Sequence, residues 1–311
     1  MDTLAIVFEE PERLALRRLE LTPPEPSDVI VDILWSGIST GTERLLWLGR
    51  MPPFPGMGYP LVPGYESVGR ITSAGAQSGR REGEFVFVPG ARCFGDVRGL
   101  FGGAAARIVV AAERVLPVDE RLGEQAVLLA LAATAYHTMV DHQRPDLIVG
   151  HGVLGRLMAR LALLKGGEPP VVWETNPVRA AAGSLYPVIH PEADARHDYG
   201  AVYDASGDAG LLDTLIKRLR RGGEVVLAGF YSAPLSFNFP PAFLREARIR
   251  VAAEWVPSDL AAVRHLIETG KLSLDSLITH CAEAGDAAGA YRTSFGDPAC
   301  LKMILDWRRC S

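Results

Sequence analysis

Residues 146–166 read DLIVGHGVLGRLMARLALLKG: an apolar run, three glycines spaced G-x-G-x-x-G, and a stretch with Leu157, Leu161 and Leu164 at helical spacing. The order strand, turn, helix gives each glycine a task. Gly150 permits the tight turn, Gly152 lets backbone come close to an anion, and Gly155 lets the helix pack against the strand. Val153 and Leu154 open the helix, whose first N–H groups lack intrahelical partners and carry positive potential. The loop therefore reads as a pyrophosphate-binding turn. A second run, PVVWE, ends on Glu174, nineteen residues beyond Gly155. A carboxylate there accepts hydrogen bonds from adenosine ribose hydroxyls and repels a 2′-phosphate, so NAD is expected ahead of NADP. Arg179 either holds such a phosphate or packs along the adenine. His151, inside the loop, is expected to face cofactor or solvent.

The pattern around this loop repeats. DLIVG, PVVWE, PVI (187–189), AVYDAS (201–206), GEVVLAG (223–229) and IRVAAEWV (249–256) are apolar strand candidates, and helical segments lie between several of them. Such β–α alternation predicts a parallel, doubly wound sheet. Before residue 122 the texture differs. DVIVDILWSG (28–37), VGRITSAG (68–75), EFVFVPG (84–90) and RIVVAAERVLPV (107–118) read as strands separated by turns. Between them, RMPPFPGMGYPLVPGYE (50–66) is too rich in proline for helix or central strand and is expected to be a long surface loop. AVLLALAATAYHTMV (126–140) is shorter than the ~20 residues needed to cross a bilayer and reads as a buried helix.

Composition narrows the partners. With 48% hydrophobic and 22% charged residues, the 311-residue chain is an ordinary globular one of two-domain length. Its net charge of −5, without a basic run, argues against nucleic acid. Four scattered cysteines without a CxxC pair fit a reducing cytoplasm. The acidic, soon polar N-terminus does not read as a signal peptide.

Several stretches in combination resemble the medium-chain dehydrogenase/reductase superfamily. SGISTGTE (36–43) is similar to its G-x-C-G-T-D stretch, VPGYESVGRI (62–71) to its P-G-H-E-x-x-G-x-V stretch, and ATAYHTM (133–139) to its T-A-Y helix. YDASG, RRGGEVVLAGF and the closing KLSLDSLITHCAEAGDAAGAY extend the likeness over the whole chain. The resemblance implies an α/β fold: a GroES-like β-rich catalytic domain (1–121 and 257–311) and a doubly wound parallel-sheet Rossmann domain (122–256). It also implies Thr134 and Gly229 as cofactor contacts, and a homodimer through the Rossmann sheet edge. WSGISTGTERLLWLGRMPPFPGMGYPLVPGYESVG (35–69) further resembles the superfamily's zinc-free dehydrogenases of bacteriochlorophyll synthesis, which use NAD on the hydroxyethyl group of a magnesium tetrapyrrole.

Zinc enzymes of the superfamily hold their catalytic ion through cysteine, histidine and a further cysteine or acid. The alignment puts Thr40 (or, with a one-residue shift, Ser39), Tyr65 and Ala130 at those positions, and only Glu66 of the acidic neighbours survives. Hydroxyls and a phenol are poor zinc ligands, so no metal is expected. Tyr65 is then either the reacting hydroxyl's acid/base partner or an aromatic wall. Thr42 is a relay hydroxyl or a turn residue. Glu66 is a base or a group that holds its neighbours. His137 is a direct participant or a hydrogen-bonded helix histidine. Thr40 would meet the substrate. Phe54, Met57 and Tyr59 would form an apolar floor for a flat ring or pack on one another, and Arg44 and Arg50 would pair with a propionate or stay solvated. A hydrophobic product would allow transient membrane-surface contact. A zinc-free quinone or enoyl reductase using NADPH and a nucleotide-binding protein without catalysis are the competing readings.

Overall fold

The six apolar runs between residues 147 and 251 pair in one sheet, in the spatial order Val188–Ile189, Val171–Trp173, Leu147–Val149, Tyr199–Asp204, Leu219–Leu227, Arg248–Val251. All pairings are parallel. The central strands are buried on both faces, which is why they read as unbroken apolar runs. Leu147–Val149 lies where the order reverses, and ligands of such sheets bind at the strands' carboxyl ends beside that point. The computed structural model describes residues 1–53, 55–181 and 185–310, and divides into two compact units, 131–273 and 1–130 with 274–311.

The boundaries fall at 130/131 and 273/274, where the sequence suggested 121/122 and 256/257. The later boundary moves because helix Pro257–Glu268 belongs with the parallel sheet's unit, buries Leu260, Val263 and Ile267, and places Asp259 on His137. Helix Val153–Leu164 buries Val153, Leu157, Met158 and Leu161. Leu164, expected on the same stripe, is exposed in the last turn. The expected strand 249–256 is regular only over Arg248–Val251, at the sheet's outer edge.

The other unit holds two sheets among the described residues. In the larger, His280–Glu283, Met303–Asp306, Asp28–Ile38, Ser67–Ala74, Phe85–Val88 and Leu116–Pro117 follow in spatial order, with Arg107–Ala111 also on Asp28–Ile38. The smaller joins Arg13–Glu20, Asp2–Glu10, Leu61–Val62 and Arg98–Gly99. The hairpin Asp2–Glu10/Arg13–Glu20 is absent from the sequence-based assignment, because charged residues interrupt its second strand, RLALRRLE. Its first strand nonetheless buries Ile6, Val7 and Phe8 completely. The described residues of the stretch 50–60 hold no helix or strand, and Leu61–Val62 is a strand. Leu129–Met139 is helical, as expected of a buried apolar segment, and no helix among the described residues is long and apolar enough to cross a membrane.

Candidate functional site

The glycine loop has the geometry that its residue types require. Gly150 adopts φ +98°, open to glycine at little cost. Gly152 begins helix Val153–Leu164, and no side chain caps that end. A Cβ on Gly155 would stand 1.9 Å from the Gly150 carbonyl oxygen, so only glycine allows this strand and helix to approach so closely. The loop is tied to the second strand through Glu174: its Oε2 accepts the His151 N–H at 3.0 Å and its Oε1 accepts the Asn176 N–H at 2.8 Å. The carboxylate predicted at the ribose position is therefore held rigidly, with lone pairs to spare. These residues fit a dinucleotide's phosphates and ribose.

His151 is a correction. Its side chain is buried, not turned to cofactor or solvent. Nδ1 lies 2.9 Å from the Arg179 carbonyl oxygen and Nε2 lies 3.1 Å from the Tyr186 hydroxyl. A neutral ring that donates from Nδ1 and accepts at Nε2 satisfies both, and burial holds its pKa below the ordinary value. Arg156 donates to the carbonyls of both His151 and Arg179. Histidine in this loop therefore braces it against the segment after the second strand. Gly229 is needed for packing, since a Cβ there would approach the Gly207 nitrogen to 2.7 Å. Thr134 is half-buried on helix Leu129–Met139.

One turn further along that helix, His137 Nδ1 lies 2.7 Å from Asp259 Oδ2. Asp259 also accepts the Val256 N–H at 2.9 Å across the start of its own helix. The aspartate is buried, whereas the His137 side chain is 30% exposed. Sequence reading found the histidine and missed its partner 122 residues away, for which no local signal exists.

In the other unit, Tyr65 and Ser39, which the resemblance sets at metal-ligand positions, are joined by a hydrogen bond. Tyr65 is half-buried, and its hydroxyl donates to Ser39 Oγ at 2.8 Å and is also hydrogen-bonded with Thr42. Its ring meets Phe101 edge-on at 5.2 Å. Burial first, and then the charge of Glu66, push the phenol well above its ordinary value. The Ser39 N–H donates to Glu43 Oε1 at 3.1 Å, and the Tyr291 hydroxyl donates to Glu43 Oε2 at 2.7 Å. Glu43 is wholly buried, and burial pushes it up to about 7 against those two hydrogen bonds. Glu66 is buried in an ion pair with Lys302, itself almost wholly buried, and its Oε1 has no hydrogen-bond partner. Gly37 makes room for this carboxylate, which a Cβ would approach to 2.3 Å. Burial pushes the Glu66 carboxyl above its ordinary value, and the ion pair with Lys302 pulls it back only in part.

This donor set does not fit zinc. Hydroxyls stand where thiolate and imidazole are needed, Ala130 has no donor, and Lys302 occupies Glu66. No group of three or more His, Cys, Asp or Glu among the described residues could hold a metal ion. Sequence reading weighed Ser39 only as a shifted alternative, and it missed Glu43, Tyr291 and Lys302 as parts of this cluster. A lysine inside the apolar run CLKMIL was the available signal for the last.

The expected substrate-facing residues separate. Thr40 is half-buried. Met57 and Tyr59 pack partly buried on the core, and the Tyr59 hydroxyl donates to the Leu46 carbonyl, so they brace their own loop. Arg44 and Arg50 are exposed. Phe54 lies outside the described residues.

Residues 25–120 match the alcohol dehydrogenase GroES-like domain. The chain is 58% identical to the 2-desacetyl-2-hydroxyethyl bacteriochlorophyllide A dehydrogenase of Rhodobacter capsulatus, over 99% of both chains. In fold it is similar to a short chain alcohol dehydrogenase of Escherichia coli CFT073 complexed with NADH, with TM-score 0.83, 21% identity, and 98% and 99% of the two chains covered. It is likewise similar to a dehydrogenase of Sinorhizobium meliloti 1021 bound to NADP, with TM-score 0.82, 18% identity and the same coverage.

Proposed function

The chain belongs to the family of the 2-desacetyl-2-hydroxyethyl bacteriochlorophyllide A dehydrogenases, within the medium-chain dehydrogenase/reductase superfamily, and on that premise we propose that it oxidises the 3-(1-hydroxyethyl) group of a bacteriochlorophyllide to 3-acetyl, with NAD and without catalytic zinc. The observation that carries the proposal is the hydroxyl pair Tyr65–Ser39, standing where a metal enzyme needs ligands.

A bound nicotinamide supplies the acceptor for the hydride that leaves the carbinol carbon. The chain's own residues must hold the dinucleotide, orient the carbinol oxygen and dispose of its proton. Gly150, Gly152, Val153, Leu154 and Gly155 would receive the pyrophosphate on backbone N–H groups, and Glu174 would accept from the ribose. Tyr65 is too weak an acid to be ionised at neutral pH and too poor a base to take the proton as a phenol. It acts as an orienting hydroxyl, with Ser39 and Thr42 fixing its direction. The conjugated ring attached to the carbinol spreads the positive charge that develops as hydride leaves, which lowers the demand for an ion at the oxygen.

The test mixes the protein with NAD or NADP and a 3-hydroxyethyl bacteriochlorophyllide while the nicotinamide and far-red bands are followed. Turnover with NAD, unchanged by a chelator that leaves the ring magnesium in place, is expected. Turnover of quinones with NADPH alone, or activity that disappears on chelation and returns with zinc, overturns the proposal. Tyr65→Phe should slow single-turnover hydride transfer about 10- to 100-fold, as expected for a lost orienting hydrogen bond; an unchanged rate would leave the ring as a wall only. Glu174→Ala should weaken NAD binding about 10-fold or more and leave the pigment's KM within about twofold. Equal losses for both ligands would remove Glu174 from the ribose.

The outer strand Arg248–Val251, with Ile249 and Val251 exposed, is the edge through which a homodimer would form. The four unpaired cysteines fit the cytoplasmic location we propose.

A further inference from the structure

Strand Tyr199–Asp204 lies beside Leu147–Val149 at the point where the strand order reverses, with Asp204 paired to Val149. The Ala205 N–H donates to the Val149 carbonyl at 2.9 Å, so the two strands leave the sheet side by side. One continues into the glycine turn and the other into residues 205–208. The two turns stay in contact: a Cβ on Gly150 would meet the Ser206 nitrogen and Cα at 3.4 Å and the Ala205 carbonyl carbon at 3.5 Å. In a doubly wound sheet, ligands bind in the crevice that opens at this point. The glycine turn is one wall of that crevice, and residues 205–206 are the other.

Asp204 fixes the second wall. It is buried, and its Oδ1 accepts the Ser206 N–H at 2.8 Å and the Ser206 hydroxyl at 2.6 Å. Ser206 Oγ in turn accepts the Asp208 N–H at 3.1 Å. Oδ2 accepts the Tyr231 hydroxyl at 2.9 Å. The Asp204 carbonyl oxygen accepts the N–H groups of Ala228 and Gly229, both at 2.9 Å. One aspartate thus ties the turn after its own strand to the turn after strand Leu219–Leu227. Those two turns also touch through backbone, since a Cβ on Gly207 would stand 2.9 Å from the Phe230 carbonyl oxygen. Burial pushes the Asp204 carboxyl above its ordinary value, and the hydrogen bonds from Ser206 and Tyr231 oppose that rise. A buried carboxylate is costly unless such bonds are made, so the network favours one arrangement of the wall.

We propose that Asp204 and Tyr231 are positioning residues for dinucleotide binding. Tyr231 latches the Asp204 carboxylate, and the carboxylate holds residues 205–208 in the conformation that leaves the crevice beside Gly150 open to the pyrophosphate. The inference rests on the dinucleotide reading of the glycine loop. Both side chains act through the backbone of the wall and not by touching the ligand. Without the latch, Asp204 Oδ2 is a buried oxygen with no donor, and the turn must shift to bring it to water. The dinucleotide then binds only the fraction of molecules whose wall is in place, and its apparent affinity falls by that fraction.

The test titrates wild type and three variants with NADH and with NADPH by fluorescence, well below each melting temperature, with thermal melts recorded beside them. For the cofactor that wild type holds more tightly, Tyr231→Phe and Asp204→Ala should each lose about 10-fold or more in affinity, which corresponds to a competent fraction of about one tenth or less. Asp204→Asn is the rescue. Its amide oxygen can accept from Ser206 and its amide nitrogen can donate to the Tyr231 oxygen, so it should bind within about threefold of wild type. A merely structural pair would lower the melting temperature of Tyr231→Phe and Asp204→Ala and leave their affinity within about twofold of wild type. That result overturns the inference while the dinucleotide reading stands. A loss in Asp204→Asn as large as in Asp204→Ala overturns it too, because charge and not position would then govern binding. If wild type binds neither cofactor, the inference and the dinucleotide reading fall together. Should Asp204→Ala fail to fold, Tyr231→Phe, which removes a single oxygen atom, decides the matter.

Discussion

Gly155→Ala should weaken dinucleotide binding by at least about 100-fold, the loss expected when a binding element is displaced by roughly 1 Å. The added Cβ would sit 1.9 Å from the Gly150 carbonyl oxygen, where real Cβ contacts do not come below 3.0 Å. That oxygen is backbone and cannot swing aside as a side chain would. Helix Val153–Leu164 must therefore back away from strand Leu147–Val149 and carry its free N–H groups with it. The same movement opens the packing of Leu157, Met158 and Leu161, all buried, so the melting temperature should fall too. Gly152→Ala is the matched control. Its backbone lies in extended space (φ −75°, ψ −172°), and nothing stands within 4 Å of the added carbon. It should fold with an unchanged melting temperature and still lose affinity, because the methyl group occupies space that the pyrophosphate needs. NADH fluorescence titration beside a thermal melt separates the two effects. Binding by Gly152→Ala as tight as in wild type would mean that no phosphate approaches this turn.

That contrast also shows what was legible in the chain beforehand. The parallel sheet, its glycine loop and Glu174 are written locally: an apolar run, a turn that only glycine can make, a helix stripe, a carboxylate at the end of the next run. Each signal lies within one strand–turn–helix–strand stretch, and the parallel sheet, the positive-φ turn at Gly150 and the helix from Val153 are all observed. The hydroxyl cluster is only half local. Tyr65 and Glu66 stood out because an imidazole and a carboxylate were expected there. Their partners come from elsewhere in the chain: Lys302 lies 236 positions from Glu66, and Tyr291 lies 248 from Glu43. Nothing in a single sequence ties a buried lysine to a buried glutamate at that distance. His151 was misjudged for a related reason. Its place in the loop pointed toward a ligand, but Tyr186 and the Arg179 carbonyl, which close over the ring, follow a later strand. The N-terminal hairpin escaped because its second strand alternates apolar and charged residues too weakly to show period two.

Replacement of Glu43 by glutamine should remove a large pH dependence of stability. Glu43 is wholly buried, and burial raises its carboxyl from 4.5 to about 7, with Tyr291 and the Ser39 N–H pulling it back only in part. The folded chain therefore keeps a proton that the unfolded chain gives up. Below about pH 4.5 both states are protonated and the contribution is complete. Between about 4.5 and 7 the unfolded state ionises first, and stability drains away. Above about 7 both states are ionised and the loss is constant. At about 1.4 kcal/mol per pH unit, the gap between 4.5 and about 7 corresponds to on the order of 3 kcal/mol. Glutamine has the same shape and no proton to lose. Its amide oxygen can accept from Ser39 N–H, and its amide hydrogens can be met by a rotated Tyr291 hydroxyl. The stability of Glu43→Gln relative to wild type should therefore rise between pH 4.5 and 7.5 by that amount, measured by urea unfolding across the range. Taking the difference between the two proteins cancels carboxylates common to both, to the extent that Glu66, 2.3 Å from where a Gly37 Cβ would be and paired with Lys302, titrates alike in each. Parallel stability curves would show that the folded protein ionises Glu43 as readily as the unfolded chain does, and that the cluster around Tyr65 carries one more negative charge at neutral pH than its burial allows.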